Sequence, residues 1–134
     1  GWLRAPEGLA VSEAAAALVR RCFRWGIRIG DLKACNLLVR ERPGEAARVF
    51  LVDADGTRFP RRLSRYARIR VLVQLNTSIP RAVPARARLA FLRAALRGRP
   101  RAEIRLFARA VARWSLDRAI VYVGPGGDMV ERWA

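Results

Sequence analysis

Two short segments decide the interpretation of this chain. Residues 30–39 have the sequence Gly-Asp-Leu-Lys-Ala-Cys-Asn-Leu-Leu-Val, and residues 49–56 have the sequence Val-Phe-Leu-Val-Asp-Ala-Asp-Gly. The first runs from a polar loop into an apolar stretch, and the second runs from an apolar stretch into a polar loop. Apolar stretches joined by a short turn region, here residues 40–47 with Pro43-Gly44, predict a β-hairpin. Both polar loops should then emerge at the same end of that hairpin.

Helical patterns surround the hairpin. Residues 1–11 are expected to be irregular, and Ser12 is a suitable N-cap for a helix that ends near Gly26. The predicted elements after the hairpin are helices over residues 62–77, 85–97 and 101–117, an extended segment over 120–123 and a turn over 124–127. The fold class is therefore α+β and mainly helical, and residues 1–134 are expected to form a single domain.

The composition sets limits on function. The chain has 134 residues, of which 52% are apolar, which excludes a disordered tail, and no apolar run approaches the roughly 20 residues of a membrane span. The two cysteines are too few for a disulfide framework and favour a reducing compartment. The absence of histidine excludes a Ser-His-Asp triad, a Cys-His pair and a His-ligated zinc.

The net charge of +16 suggests an anionic partner, namely a nucleic acid, an anionic membrane surface or a phosphorylated substrate. Of the 27 basic residues only Lys33 is a lysine, so the other 26 are arginines. The arginines extend from end to end, and a compositional bias accounts for the charge equally well. Against that background, Lys33 stands out as a position where a compact ammonium is wanted.

The two loops carry the residues that phosphoryl transfer requires. Such an enzyme needs a carboxylate to orient the attacking hydroxyl, hard oxygen ligands for metal ions and a cation for the developing charge. Asp31-Leu32-Lys33-Ala34-Cys35-Asn36 has the spacing of a kinase catalytic loop, in which Asp is the base and Asn a magnesium ligand. Asp53, with Asp55 as second choice, follows a strand as the other metal ligand should. Ordinary turn and capping residues would also explain these positions, and that alternative stays open.

The residues from Gly30 to Val39, with Phe50 to Asp55, resemble the lipopolysaccharide kinase family. The later segment Leu72 to Pro80 also looks like the helix that follows the metal motif in that family. The resemblance implies a bacterial enzyme of protein-kinase-like fold that phosphorylates a sugar hydroxyl of a glycolipid, using ATP and Mg²⁺. By the same resemblance, Asp31 would be the base and Lys33 the phosphate cation.

The resemblance also implies nucleotide and metal sites. Lys33, Asn36 and Asp53 would bind the nucleotide, and Asn36, Asp53 and Asp55 would supply metal ligands. The acceptor would be a sugar or glycolipid, with an anionic membrane surface as a further partner and nucleic acid disfavoured. The protein would be cytoplasmic or peripheral at the inner membrane.

Two departures from the family set a second hypothesis beside the first. Ile29 stands where the family's loop usually has a histidine, and only 30 residues precede Asp31. An N-terminal lobe that covers ATP cannot fit there, so we expect a kinase C-terminal lobe whose activity alone is weak or absent. The alternative is a non-catalytic pseudokinase lobe that acts as a binding module.

Cys35, the four tryptophans and one run of arginines have ordinary structural explanations. Cys35 is expected to be a small buried filler, and the tryptophans at 2, 25, 114 and 133 are expected to pack in the core or at the termini. An arginine run could grip a phosphorylated sugar or an anionic lipid surface, but an ordinary solvated helix face is favoured. That run comprises Arg58, Arg61, Arg62, Arg65 and Arg68.

Overall fold

A computed structural model describes residues 6–53 and 55–133 as four helices and two β-hairpins. The elements are, in order, α1 (Pro6–Arg24), a 3₁₀ turn (Ala34–Asn36), β1 (Leu37–Arg40), β2 (Arg48–Leu51), α2 (Arg65–Asn76), α3 (Ala85–Ala95), α4 (Arg101–Leu116), β3 (Ile120–Gly124) and β4 (Gly127–Glu131). The mixed, mainly helical class predicted from the sequence is confirmed.

The first helix is longer than predicted. It begins at Pro6 rather than after Ser12, so Ser12 is an interior residue and the expected irregularity of residues 6–11 is wrong. Proline suits the first turn of a helix, where its missing N–H is not needed, and the following alanines favour helix. The end is as predicted, because Gly26 takes a φ of +68° directly after the helix.

The first hairpin pairs β1 with β2 in antiparallel register, with Leu37 opposite Leu51 and Arg40 opposite Arg48. One further backbone bond, from Val52 N–H to Asn36 O at 2.9 Å, extends the pairing beyond the strands. The hairpin therefore holds the segment before Leu37 against the segment after Leu51, as the sequence predicts.

The core is built around α2, whose buried side chains lie on more than one face of the helix. It packs against α4, while α1 packs against α3 and β2. Ser64 caps α2, since its side chain accepts from Ala67 N–H at 3.0 Å. The apolar stripe that the sequence predicts for this helix comprises Leu63, Tyr66, Ala67, Ile69 and Val73. Tyr66 departs from it, because its side chain is 57% exposed.

The chain after α4 forms a second hairpin, in which β3 pairs with β4. The sequence predicted β3 and the turn but missed β4, because Asp128 and Glu131 interrupt its apolar pattern. Val121 N–H bonds to Thr77 O at 2.9 Å and so joins this hairpin to the end of α2. Among the described helices, none has the length and apolar character needed to cross a membrane.

The predicted packing of the tryptophans is correct in part. The indole of Trp133 donates to Ser115 O at 2.7 Å, and Trp114 lies against Tyr66 with ring centroids 5.3 Å apart. Trp25 contradicts the prediction, since it is 71% exposed just beyond the end of α1. Trp2 lies outside the described residues.

Candidate functional site

The first loop, residues 30–36, is ordered by its own hydrogen bonds. The Asn36 side-chain amide donates to Asp31 O at 3.0 Å, and Asn36 N–H bonds to Lys33 O at 3.0 Å. Leu32 between them is fully buried, so it fixes the loop to the core while its polar neighbours remain accessible. The loop thus keeps the side chains of Asp31 and Lys33 accessible while it buries that of Leu32.

The end of α2 supports the first loop from below. The buried hydroxyl of Ser78 accepts from Ala34 N–H at 2.8 Å and donates to Leu75 O at 2.8 Å. Gln74 donates to Gly30 O at 3.4 Å. Both Gln74 and Ser78 lie in the segment from Leu72 to Pro80 that resembles the lipopolysaccharide kinase family, but the sequence alone predicts no contact between them and the first loop.

The second loop, residues 53–58, lies directly against the first. An added Cβ at Gly30 would be only 2.8 Å from the Cα of Gly56, so the two backbones touch. Beyond that contact, Arg28 and Arg58 exchange both backbone hydrogen bonds, at 2.9 and 2.8 Å. The two loops are therefore joined at one end by Asn36 and Val52 and at the other by this bridge.

Lys33 and Asp31 form an ion pair in the first loop. The Lys33 Nζ lies 3.5 Å from Asp31 Oδ1, and the two side chains are 50% and 40% exposed. An exposed pair of this kind adds little to stability, so neither side chain is fixed in place by it. Both groups can therefore turn toward a ligand at small cost.

The second loop carries its carboxylates on the surface. Asp53 Oδ1 accepts from Asp55 N–H at 3.1 Å, and both residues are exposed. Within residues 6–53 and 55–133 there is no group of three or more His, Cys, Asp or Glu side chains arranged to hold a metal ion. Asp31, Asp53 and Asp55 are thus not gathered into an all-carboxylate cage.

The residues nonetheless fit a magnesium ion that is shared with phosphates. Mg²⁺ is usually held by one or two protein groups, with waters and substrate phosphates completing its shell. The Asn36 amide nitrogen donates to Asp31 O, and among the described residues the amide oxygen accepts only from the Cys35 thiol, at 3.8 Å. Asp53 uses Oδ1 within its loop, which leaves Oδ2 as a hard oxygen ligand.

The burial of three side chains in or before the first loop differs from residue to residue. Cys35 is exposed, so the prediction of a buried filler is wrong. It lies in the 3₁₀ turn Ala34–Asn36, which has no buried residue. Cys22 is the buried thiol, and burial raises its pKa, opposed by the charge of Arg21. Ile29 is 2% exposed, which shows that an apolar side chain supports the loop from the place where the family has histidine.

The predicted arginine run is not a single solvated face. Arg58, Arg61, Arg62 and Arg65 are exposed, but Arg68 is partly buried beside Arg99 and Glu103. Burial lowers the pKa of Arg68, and its Nε has no hydrogen-bond partner among the described residues. The run is therefore split between surface and interior.

A separate apolar cavity of about 370 Å³ lies between α2, α3 and α4. Its polar groups are already satisfied by one another: Arg88 donates to the Asn76 side chain at 2.8 Å, and Asn76 donates to Ser115 Oγ at 2.9 Å. Burial lowers the pKa of Arg88, opposed by Glu131. The cavity is lined mainly by Leu72, Leu75, Ile79, Leu89, Phe91 and Val111. Such a cavity suits an uncharged aliphatic ligand.

Comparison with known proteins supports the relation suggested by the loops. No protein-family model and no curated protein matches the chain. Among solved structures, WaaP in complex with acyl carrier protein is similar, with a TM-score of 0.68 and 25% sequence identity over 85% of this chain and 50% of that chain. The chain therefore spans about half the length of the WaaP chain. Because WaaP is a lipopolysaccharide core kinase, the chain is related in structure to a kinase of that type.

Proposed function

We propose that this chain is the C-terminal lobe of an ATP-dependent phosphotransferase of lipopolysaccharide-kinase type, which phosphorylates a sugar hydroxyl of a glycolipid. The single observation that carries the proposal is the joining of the two loops at both ends, by the Asn36–Val52 bond and by the Arg28–Arg58 bridge, with the Gly30–Gly56 contact beside that bridge. Coincidental turns give no reason for such a double constraint. The similarity to WaaP supports it independently.

The proposed roles follow from the chemistry of each side chain. Asp31 orients the acceptor hydroxyl and accepts its proton, and Lys33 compensates negative charge on the transferred phosphoryl group. Asn36 and Asp53 would hold Mg²⁺, which neutralises the nucleotide phosphates, with Asp55 as the second carboxylate. In the free chain the 3.5 Å contact between Lys33 and Asp31 balances two charges that a bound substrate would separate.

Calorimetric titration of Mg-ATP tests the metal assignment. We expect weak but measurable affinity, reduced at least about tenfold in Asp53→Asn, because one charged ligand is lost. Asp128→Asn is the matched control, since Asp128 is exposed on β4 and the charge change is identical. Equal affinity in the wild type and Asp53→Asn would contradict the assignment.

The competing function is a pseudokinase lobe that binds without transfer. It predicts Mg-ATP binding without phosphate transfer even after the chain is combined with an ATP-covering lobe. Transfer of the labelled γ-phosphate to a lipopolysaccharide core sugar, lost in Asp31→Asn, would decide for the enzyme. The enzyme proposal places the protein in the cytoplasm, peripheral at the inner membrane, where a glycolipid acceptor is found.

The cavity supports a second function, the binding of an acyl carrier protein. WaaP is in complex with such a protein, and a space of about 370 Å³ whose polar side chains Arg88, Asn76 and Ser115 are bonded to one another would take an acyl chain. Ala108→Phe fills the cavity, whereas Ala90→Phe changes an exposed position of α3 as the control. We expect a pull-down to retain acylated carrier on the wild type and on Ala90→Phe only. Equal retention of acylated and unacylated carrier would contradict a role for the cavity.

A further inference from the structure

Helix α4 carries two parallel rows of side chains, one fully exposed and one partly exposed, in which Ala110 and Trp114 also pack against the core. One row consists of Arg101, Arg105, Arg109 and Arg113, all exposed. Since residues four apart lie one above the other on a helix, these guanidinium groups form a basic edge about 18 Å long. The proposed nucleotide and metal sites include no residue of this edge.

The arginine row ends near one carboxylate, that of Asp117, four residues after Arg113, but no described ion pair joins the two. None of its members forms an ion pair with a described residue, and the nearby Glu103 carboxylate is bound by Arg99 at 2.8 Å. Like charges four residues apart destabilise a helix, so the row works against the element that carries it. An external anionic surface would remove that repulsion.

The second row lies beside the first and is apolar. It comprises Ala102, Leu106, Ala110 and Trp114, which share a shallow groove with three of the arginines. Leu106 is 41% exposed although it is a large apolar side chain. At the end of this row Trp114 contacts the exposed Tyr66, and the guanidinium of Arg70 lies 5.8 Å from the Tyr66 ring.

We propose that this face of α4 docks on an anionic phospholipid bilayer. The arginine row would contact lipid phosphates, while Leu106 and the Tyr66–Trp114 pair enter the headgroup boundary, where amphipathic aromatic rings are favoured. A nucleic acid would use the arginines but would leave Leu106 without a partner, so the paired rows favour the bilayer. This docking is independent of the phosphotransferase proposal, because it uses no residue of either loop.

Vesicle sedimentation with the full chain tests the proposal. One variant, called the stripe variant, replaces the four arginines of the row with glutamine. The matched control replaces with glutamine four arginines that are exposed elsewhere, namely Arg42, Arg48, Arg86 and Arg93. Both variants lose the same charge. With vesicles containing phosphatidylglycerol, we expect the stripe variant to bind about 100-fold more weakly than the wild type and the control less than about tenfold. Vesicles of phosphatidylcholine alone should bind none of them.

Two further measurements make the result decisive. Leu106→Ser should weaken vesicle binding while leaving the circular dichroism of the chain unchanged, because Leu106 is partly exposed. Equal losses in the stripe and control variants would show that net charge alone acts and would overturn the proposal. So would absence of wild-type binding, or tighter binding to duplex DNA that depends on the same row.

Discussion

The first loop (30–36) and the second loop (53–58) touch each other but are held in different ways. The first is fixed by buried Leu32, by the Ser78 hydroxyl and by the Asn36 amide. The second is exposed at both Asp53 and Asp55, and two described bonds join its side chains to its own backbone, Asp53 to Asp55 N–H and Arg58 to Thr57 O. The first loop, which we assign to the base and to the metal ligand Asn36, is thus held by the core and by the end of α2. The second loop, which we assign to the metal ligands Asp53 and Asp55, depends on its contact with the first.

The backbone contact between the loops is the strongest place to break this relation. In Gly30→Ala the added Cβ would overlap the backbone of Gly56, so one loop must move. We expect the free energy of unfolding to fall by about 3 kcal/mol, as in overpacked sites, with loss of Mg-ATP affinity. Urea unfolding and calorimetry measure the two effects. Gly126→Ala is the control, since its added Cβ meets nothing within 4 Å; similar losses in both would refute the contact's importance.

Removal of the Ser78 hydroxyl tests how far α2 organises the first loop. Ser78→Ala leaves the Ala34 N–H without its acceptor, and we expect a loss of about 1–3 kcal/mol in the free energy of unfolding. Ser64→Ala costs a similar amount, about 1 kcal/mol, but at the N-cap of α2, where neither loop is touched. Only Ser78→Ala should lower Mg-ATP affinity. An equal reduction in both variants would attribute the effect to general destabilisation.

The sequence predicted the hairpin and both loops because apolar strands and turn residues are local signals. Gly26 likewise predicted the end of α1, and in the structure it takes the φ of +68° that favours glycine at such an end. The Gly30–Gly56 contact could not be predicted in this way, because glycine in a loop has many uses and nothing local identifies its partner. The support from Ser78 depends on a separation of 44 residues along the chain.

Burial accounts for the failed expectations at single residues. Cys35 is expected to be buried from its residue type and Tyr66 from its place on an apolar stripe, yet both side chains are exposed. A helix or turn fixes which residues share a face, but only tertiary packing decides which face is covered. The same reason explains Arg68, which continues a polar run in the sequence and enters the interior in the structure.

Thr57 offers the smallest test of the difference between the loops. Its hydroxyl oxygen is buried and has no hydrogen-bond partner among the described residues, which is costly for a polar group. Thr57→Val keeps the shape of the side chain and removes the unsatisfied atom, so we expect the free energy of unfolding to rise by about 1 kcal/mol. Thermal and urea unfolding measure this change. Thr77→Val is the control, because the Thr77 hydroxyl donates to Val73 O at 2.9 Å, so its removal should lower the free energy of unfolding. A loss of stability in Thr57→Val would show that its hydroxyl holds the second loop after all.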